Sequence, residues 1–290
     1  MRRSPSFDQF LREVLLEDLG SGDVTSKAVI PAGRAISATV IARSSGVVAG
    51  TRYACRLFRA MSPGVRCEIV HADGRVVRSG QVILDLRGPA RAIFAAERTA
   101  LNLLGHLCGI ATLARQFVDR VRPHRVKVLD TRKTLPGLRM LEKEAVRAGG
   151  GVNHRMRLDD GILIKTNHLR VLGAGSGSRV RAIHEAITNV RRRHPRLPVE
   201  IEVTTLDEVR AALEAGADML LLDNMDLGRI RASVRLRDMV AGNGRSPSLE
   251  VSGGVMLKNV REIAATGVDR IAIGRLTHSA PSLDVALCIA

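Results

Sequence analysis

The feature that most constrains the fold is a regular alternation of short apolar segments with helical segments after about residue 126. The apolar segments have the length and composition of β-strands and read VKVLD, ILIK, VEIEV, MLLLD, LEV and IAIG. Helical periodicity is clearest in residues 178–193, 205–216, 227–240 and 257–267. Strands that alternate with helices form parallel βα units, so this region predicts a barrel or an incomplete barrel of six or seven strands.

A doubly wound parallel sheet is the alternative arrangement for the same alternation. The usual phosphate-binding signature of that fold is a G-x-G-x-x-G sequence directly after a strand. Gly173, Gly175 and Gly177 do not follow a strand in that arrangement, and their surroundings favour a loop. The barrel or incomplete barrel is therefore the favoured prediction.

The N-terminal third of the chain has a different, mixed pattern. Residues 7–19 carry apolar side chains at helical spacing, and residues 36–50 and 81–88 resemble strands. Residues 90–121 are typical of one or two long helices. The chain of 290 residues is therefore predicted to be an α/β protein of one or two domains.

The net charge of +16 indicates an anionic partner, either nucleic acid or a small polyanion. Aromatic residues make up 2% of the chain, with one Tyr and no Trp, so platforms for base stacking are scarce. This composition favours a small polyanion and no nucleic-acid partner. Because the chain has no apolar run of membrane-spanning length and no signal-peptide pattern, we expect a cytoplasmic protein without a membrane partner.

The four cysteines are scattered along the chain and form no C-x-x-C pair; they are Cys55, Cys67, Cys108 and Cys288. Three of the four stand in apolar or strand-like surroundings. This pattern predicts buried free thiols in preference to a metal site or a disulfide.

Polar side chains stand at the C-terminal ends of the predicted strands, where α/β barrels build their active sites. Cations follow the first two strands; they are Arg132, Lys133, Arg155 and Lys165. Glu202 and Asp223 end neighbouring later strands, and two such carboxylates suit Mg²⁺, although either can instead cap a helix. Ser252, Gly253 and Gly274 close the last two strands, where glycine lets main-chain N–H groups approach a phosphate. The pattern predicts a substrate with a phosphate, a metal-bound pyrophosphate and a second anion.

Several segments closely resemble the quinolinate phosphoribosyltransferase family. They are EDLGSGDVTS, ERTALNLLGHLCGIAT, DTRKTLPGLRMLEKEAVRAGGGVNHR, LIKTNH, LLLDNM, EVSGG and GRLTHSAPSLD. The resemblance covers nearly the whole chain in the family's order. It implies an N-terminal α/β sandwich domain over residues 1–110 and an open α/β barrel of about seven strands over residues 111–290. It also implies that the C-terminal tail returns to the N-terminal domain.

The resemblance further implies a reaction, in which quinolinate and phosphoribosyl pyrophosphate give nicotinate mononucleotide, CO₂ and pyrophosphate in NAD biosynthesis, with Mg²⁺ as cofactor. The implied quinolinate ligands are Arg132, His154, Arg155 and, from the neighbouring subunit of a homodimer or a multiple of dimers, Arg98. Lys133 and Lys165 are implied to contact phosphoribosyl pyrophosphate and a ring carboxylate. The implied ligands of metal and ribose are Glu202 and Asp223, and those of the phosphate are Ser252, Gly253, Gly274 and His278. Catalysis is assigned to Lys133, Lys165, Glu202 and Asp223.

Residue-level reasoning leaves other interpretations of some of these residues. His154 and His168 can each be a hydrogen-bonded core histidine rather than a ligand. Arg132 and Lys133 are adjacent, and neighbours on an extended strand point to opposite sides. We therefore expect Arg132 to face the pyridine dicarboxylate and Lys133 to face the pyrophosphate.

The chain departs from the family pattern at a few positions, chiefly Thr166, where an acid is usual, and Arg275, where alanine is common. Three other functions stay open at this stage. One is a phosphoribosyltransferase of the same fold that is associated with molybdenum transport and uses another acceptor. The others are a barrel aldolase with Lys133 or Lys165 as Schiff base, and a basic nucleic-acid-binding protein.

Overall fold

The computed structural model describes residues 7–173, 178–241 and 246–289. The predicted glycine loop lies outside these ranges at residues 174–177. The chain forms two compact units. The first contains the described residues of Met1–Arg115, Met140–Gly150 and Ser279–Ala290, and the second contains those of Gln116–Arg139 and Gly151–His278.

The helices and strands are, in chain order, α1 (Phe7–Leu19), α2 (Val24–Val29), β1 (Ala35–Ala42), β2 (Gly46–Val47), α3 (Thr51–Met61), β3 (Arg66–Ile69), β4 (Val76–Val77), β5 (Val82–Pro89), α4 (Ala90–Val121), β6 (Lys127–Leu129), α5 (Arg139–Ala148), β7 (Ile162–Ile164), α6 (Thr166–Leu172), α7 (Arg179–Arg193), β8 (Val199–Val203), α8 (Leu206–Glu214), β9 (Met219–Asp223), α9 (Leu227–Ala241), β10 (Ser248–Ser252), α10 (Val260–Ala264), β11 (Arg270–Ala272), α11 (Arg275–His278) and β12 (Val285–Ile289). Among the described residues, no helix combines the length and apolarity that a membrane span requires.

The first unit is built on a four-stranded antiparallel sheet with the strand order β12-β1-β5-β3. In β1, Ala38, Val40 and Ala42 are buried at alternate positions, as expected for a strand with one face on a core. The same core includes buried residues of α3 and α4, such as Phe58 and Leu104. The last strand of the chain, β12, completes this sheet by pairing antiparallel with β1.

The second unit is an open six-stranded sheet with the order β6-β11-β10-β9-β8-β7, in which every neighbouring pair is parallel. Its central strands β8, β9 and β10 are largely buried, which explains their nearly continuous apolar sequences. The described residues form no closed barrel, and a single parallel bridge joins Leu129 and Val152 beside β6. The predicted class, an α/β domain followed by an incomplete barrel, is confirmed.

The register of this sheet brings the strand ends to one edge. Ser252 at the end of β10 lies opposite Asp223 of β9 and Ala272 of β11. Ala272 in turn lies opposite Leu129, the last residue of β6. The loops that carry the predicted cations, carboxylates and glycines therefore leave the sheet on the same side.

Cys55 of α3 and Cys67 of β3 form a disulfide, so the prediction of free thiols is wrong for this pair. The pairing depends on the packing of a helix against a strand, which brings the two Cα atoms to 5.5 Å and which cysteine spacing does not reveal. Cys108 and Cys288 are free thiols. Burial raises the pKa of the Cys108 thiol to about 12, so this group stays protonated.

Reduction of the disulfide should destabilise the first unit. Closing a loop of this size contributes about 3 kcal/mol to the free energy of unfolding, chiefly by restricting the unfolded chain. We expect the Cys55→Ala variant, and wild-type protein in reductant, to melt several degrees below oxidised wild type. Cys288→Ala, which removes a free thiol, is the matched control. Identical melting curves for oxidised and reduced wild type would contradict the prediction.

Candidate functional site

Two cavities lie at the strand-end edge of the second unit. The larger has a volume of about 350 Å³ and is lined by residues from β7, β8, β9, β10 and β11 and from the segments that follow β6 and precede β7. Its lining includes these predicted site residues: Arg132, Lys133, His154, Arg155, Lys165, Glu202, Asp223 and Ser252. The smaller, of about 190 Å³, is lined by Lys133, Ser252, Gly253, Gly274 and His278 among the predicted residues. The structure thus gathers all of the predicted site residues except Arg98.

Arg132 and Arg155 are the two arginines of the larger cavity, which also contains Lys133 and Lys165. Burial lowers the pKa of Arg155, and the charge of Arg132 lowers it further, so the two guanidinium groups are close enough to repel. One N–H of Arg155 is already used within the protein, because its Nη1 donates to the carbonyl oxygen of Gly161 at 2.9 Å. The Nε of Arg132 is buried and has no hydrogen-bond partner within the described chain. Two converging guanidinium groups with donors to spare form a site suited to a carboxylate-rich anion.

The expectation that Arg132 and Lys133 face opposite sides is wrong, because both side chains line the larger cavity. The physical reason is that β6 ends at Leu129, so the two residues lie in irregular backbone where strand alternation does not apply. Of Arg132 and Lys133, Lys133 alone also lines the smaller cavity. The buried Thr277 holds the main chain at Lys133, where the two cavities meet, by donating its hydroxyl to the carbonyl oxygen of Lys133 at 2.6 Å.

Glu202 and Asp223 form the acidic side of the larger cavity. Burial raises the pKa of Glu202, and the negative charge of Asp223 raises it further, so the two carboxylates are close enough to repel. Thr166, one of the departures from the family pattern, donates its main-chain N–H at 3.4 Å and its hydroxyl to Oε1 of Glu202. The chain thus has a hydroxyl that orients Glu202 where the family usually has an acid.

His168 does not line either cavity. Its Nδ1 accepts the main-chain N–H of Lys165 at 2.9 Å and so holds the start of α6. His168 is therefore hydrogen-bonded, but it is exposed, so its interpretation as a core histidine is wrong. Lys165 is the cap residue, and its side chain lines the larger cavity.

Glycine is required in the wall of the smaller cavity. Gly253 has φ +90°, and a Cβ there would lie 2.2 Å from Oδ1 of Asn224. A Cβ on Gly274 would lie 2.9 Å from Cδ of Lys133. Arg275, the other departure, also lines this cavity, and its Nη1 lies 2.8 Å from the sulfur of Met256. Within the described chain Arg275 has no carboxylate partner, so it adds an unpaired cation to a glycine-walled cavity suited to phosphate.

Two carboxylates that are not among the predicted site residues, Glu200 and Glu250, hold His154. Its Nε2 lies 3.2 Å from Oε2 of Glu200 and 3.2 Å from Oε1 of Glu250. Burial lowers the pKa of His154, but the hydrogen bonds with Glu200 and Glu250 outweigh it and raise the pKa to about 9. Glu200 lies two residues before Glu202 on β8 and therefore on the same face of the strand, which is a sequence signal that it adjoins the site. Glu250 is identified only from the fold.

Arg98 is exposed on α4 in the first unit. Its role as a ligand contributed across a subunit interface stays a prediction.

An α/β fold with a cation-lined cavity joined to a glycine-walled cavity defines an enzyme for anionic, phosphate-bearing substrates. The family model of the quinolinate phosphoribosyl transferase C-terminal domain matches residues 110–288, and that of the N-terminal domain matches residues 23–108. The chain therefore belongs to the quinolinate phosphoribosyltransferase family.

Individual relatives agree with the family models. The chain is 42% identical over 282 residues to a nicotinate-nucleotide pyrophosphorylase [carboxylating] of Mycobacterium leprae, covering 96% of this chain and 95% of the relative. It is 38% identical to a probable enzyme of the same name from Bacillus subtilis, covering 96% and 92%. The crystal structure of nicotinate-nucleotide pyrophosphorylase from Ehrlichia chaffeensis superposes with a TM-score of 0.89 at 37% identity, covering 99% of this chain and 100% of that one. These matches do not support the alternative associated with molybdenum transport.

Proposed function

We propose that this protein transfers the phosphoribosyl group of phosphoribosyl pyrophosphate to quinolinate, giving nicotinate mononucleotide, CO₂ and pyrophosphate for NAD biosynthesis. The observation that carries the proposal is the position of Lys133 at the junction of the two cavities. One cavity has converging arginines for a dianion, and the other has glycine walls and cations for a phosphate. The family's enzymes bear the corresponding name, which agrees with this division of the site.

Arg132 and Arg155 bind the two carboxylates of quinolinate and hold its ring nitrogen towards C1 of the ribose. The bond from C1 to the pyrophosphate oxygen breaks, and Lys133 stabilises the negative charge that develops on that oxygen. Glu202 and Asp223 line the same cavity and stabilise the positive charge on the ribose. The ring nitrogen donates its electron pair to C1 and becomes cationic.

Decarboxylation then follows from the charge on the ring. The bond between the ring and the adjacent carboxylate breaks, its electron pair stays on the ring carbon, and CO₂ leaves. The neighbouring cationic nitrogen stabilises that electron pair, and a proton from water replaces the lost group. No side chain has to act as a nucleophile, which distinguishes this reaction from the Schiff-base chemistry of an aldolase.

We further propose that Glu202 and Asp223 bind Mg²⁺. Two carboxylates that line the same polar cavity and repel each other suit a cation that uses few protein oxygens and completes its shell with water and phosphate. When bound, Mg²⁺ supplies positive charge for the pyrophosphate.

Affinity for Mg²⁺ should fall as the pH falls. Because burial and Asp223 raise the pKa of Glu202, this group takes up its proton at a higher pH than an ordinary glutamate does. A protonated carboxyl is a poor ligand, so binding should weaken as the pH falls, and it should do so at a higher pH than for a site of ordinary carboxylates. Calorimetric titration of the protein with Mg²⁺ tests this without turnover. Glu202→Gln, which cannot ionise there, should bind weakly throughout; wild-type affinity that does not change with pH would contradict the prediction.

We also propose an assembly of homodimers in which Arg98 reaches the partner's quinolinate site. The family resemblance supports this role, and the exposure of Arg98 leaves its guanidinium available for it. Mixing Arg98→Ala with an inactive Lys133→Ala variant tests it: recovered activity in the mixed dimers supports sharing of the site, and no recovery opposes it.

The proposed reaction is tested by incubating the protein with quinolinate, phosphoribosyl pyrophosphate and Mg²⁺, with nicotinate as the competing acceptor. We expect nicotinate mononucleotide and one CO₂ per turnover from quinolinate alone. Product formed from nicotinate at a comparable rate would refute the assignment of the acceptor. Covalent trapping of a carbonyl substrate by borohydride on Lys133 or Lys165 would instead support the aldolase.

A further inference from the structure

Two buried carboxylates adjoin the larger cavity, and the proposed reaction gives neither a role. Glu200 of β8 is 2% exposed and Glu250 of β10 is 0% exposed. Burying a carboxylate is costly unless a partner compensates it, and an apolar residue would serve a structural core at lower cost. Their shared partner is the ring of His154, which lies 3.2 Å from each.

Both ring nitrogens of His154 are engaged with the protein. Nδ1 accepts the main-chain N–H of Arg155 at 2.8 Å, so Nδ1 carries no proton in this arrangement, although the neighbouring carboxylates raise the pKa of the ring. The ring proton therefore lies on Nε2, which is 3.2 Å from Oε2 of Glu200; Oε1 of Glu250 lies at the same distance but accepts no hydrogen bond within the described chain. The main chain is fixed from the other side as well, because the N–H of His154 donates to the buried Asp130 at 2.8 Å.

A metal ion is the alternative partner for these three side chains, since their ligand atoms lie within 4.8 Å of one another. A metal on Nε2 would require the ring proton on Nδ1, where it would meet the N–H of Arg155. Glu250 is also committed, because its Oε2 lies 2.7 Å from Nε of Arg270. The geometry therefore favours a hydrogen-bonded clamp over a metal site.

We propose that Glu200 and Glu250 are positioning residues that act through His154 to fix Arg155 for binding the dianionic acceptor. This inference rests on the proposed function. It makes His154, which also lines the larger cavity and stays a predicted quinolinate ligand, a link between the carboxylate pair and the Arg155 main chain. Fixing the peptide at Arg155 holds its guanidinium in the cavity near Arg132, although the two like charges repel.

Glu200 also acts on Arg155 through charge. Burial and the charge of Arg132 lower the pKa of Arg155, and the negative charge of Glu200 opposes them. Glu200 thus stabilises the Arg155 cation beside Arg132 before the substrate arrives. Such preorganisation lowers the free-energy cost of binding a dianion.

The inference predicts a selective loss of quinolinate affinity. Glu200→Ala should raise the KM and the Kd for quinolinate about tenfold, because the proton on Nε2 loses a charged acceptor. Glu200→Gln keeps an acceptor oxygen but not the charge, and should raise both constants only about threefold. The KM for phosphoribosyl pyrophosphate should stay within about twofold in both variants. Steady-state kinetics give the KM values, and calorimetric titration with quinolinate gives the Kd without turnover.

Glu208→Gln is the matched control, since Glu208 is a buried carboxylate of the same unit that pairs with Arg179 and lines neither cavity. It should lower the melting temperature without changing the KM for quinolinate. Equal increases of both KM values in Glu200→Ala, or unchanged quinolinate binding, would overturn the positioning role. Should Glu200→Ala fail to fold, the selective effect of the isosteric Glu200→Gln decides the question. Wild-type protein that neither binds nor converts quinolinate would refute the proposed function itself.

Discussion

Replacing Lys133 by alanine should lower kcat by about a thousandfold while the protein stays folded. Two of the predicted site residues, Lys133 and Ser252, line both cavities, and of these two Lys133 carries the positive charge. If its ammonium stabilises the leaving pyrophosphate, its loss leaves negative charge uncompensated in the transition state. The effect should therefore fall mainly on kcat and less on the KM for quinolinate.

The control for Lys133 comes from the preceding strand, and a second test comes from the wall of the smaller cavity. Lys127 is exposed at the opposite end of β6, so Lys127→Ala removes an equal charge away from the site and should keep full activity. Gly274→Ala should reduce kcat as well, because its new Cβ would lie 2.9 Å from Cδ of Lys133 and displace that side chain. Near-normal turnover of Lys133→Ala would remove this residue from the catalytic machinery.

The sequence predicts the architecture of the second unit well because its signals are local. Each apolar segment that was predicted to be a strand forms one, and their order produces a parallel sheet. Parallel strands end at one edge, so polar residues directly after them converge without any knowledge of contacts. That rule is sufficient to predict that one region of the protein contains these residues: Glu202, Asp223, Ser252 and Gly274.

Features that depend on contacts between residues far apart along the chain cannot be predicted from the local sequence pattern. The Cys55–Cys67 disulfide depends on how α3 meets β3. The orientation of Arg132 was mispredicted because strand alternation holds only while the strand continues, and β6 ends three residues earlier, at Leu129. Glu250 contacts His154 through the order of strands in the sheet, which spacing along the chain does not encode.

Replacing Arg132 by alanine should lower kcat/KM for quinolinate by about two orders of magnitude. Its buried Nε has no partner within the described chain, so an incoming carboxylate can satisfy it. Arg132→Lys keeps the charge but not the planar fork, and should recover only part of the loss. Arg170→Ala, which removes an exposed arginine of α6 that lines neither cavity, is the control.

The same variant tests which part of the acceptor Arg132 recognises. Quinolinate carries two carboxylates and nicotinate carries one, so an arginine devoted to one carboxylate of the pair should matter far less to nicotinate. Arg132→Ala should therefore reduce the preference for quinolinate over nicotinate in competition assays, with the KM for phosphoribosyl pyrophosphate nearly unchanged. A uniform loss for both acceptors would show instead that Arg132 supports the cavity as a whole, and the division of the site into a dianion cavity and a phosphate cavity would have to be abandoned.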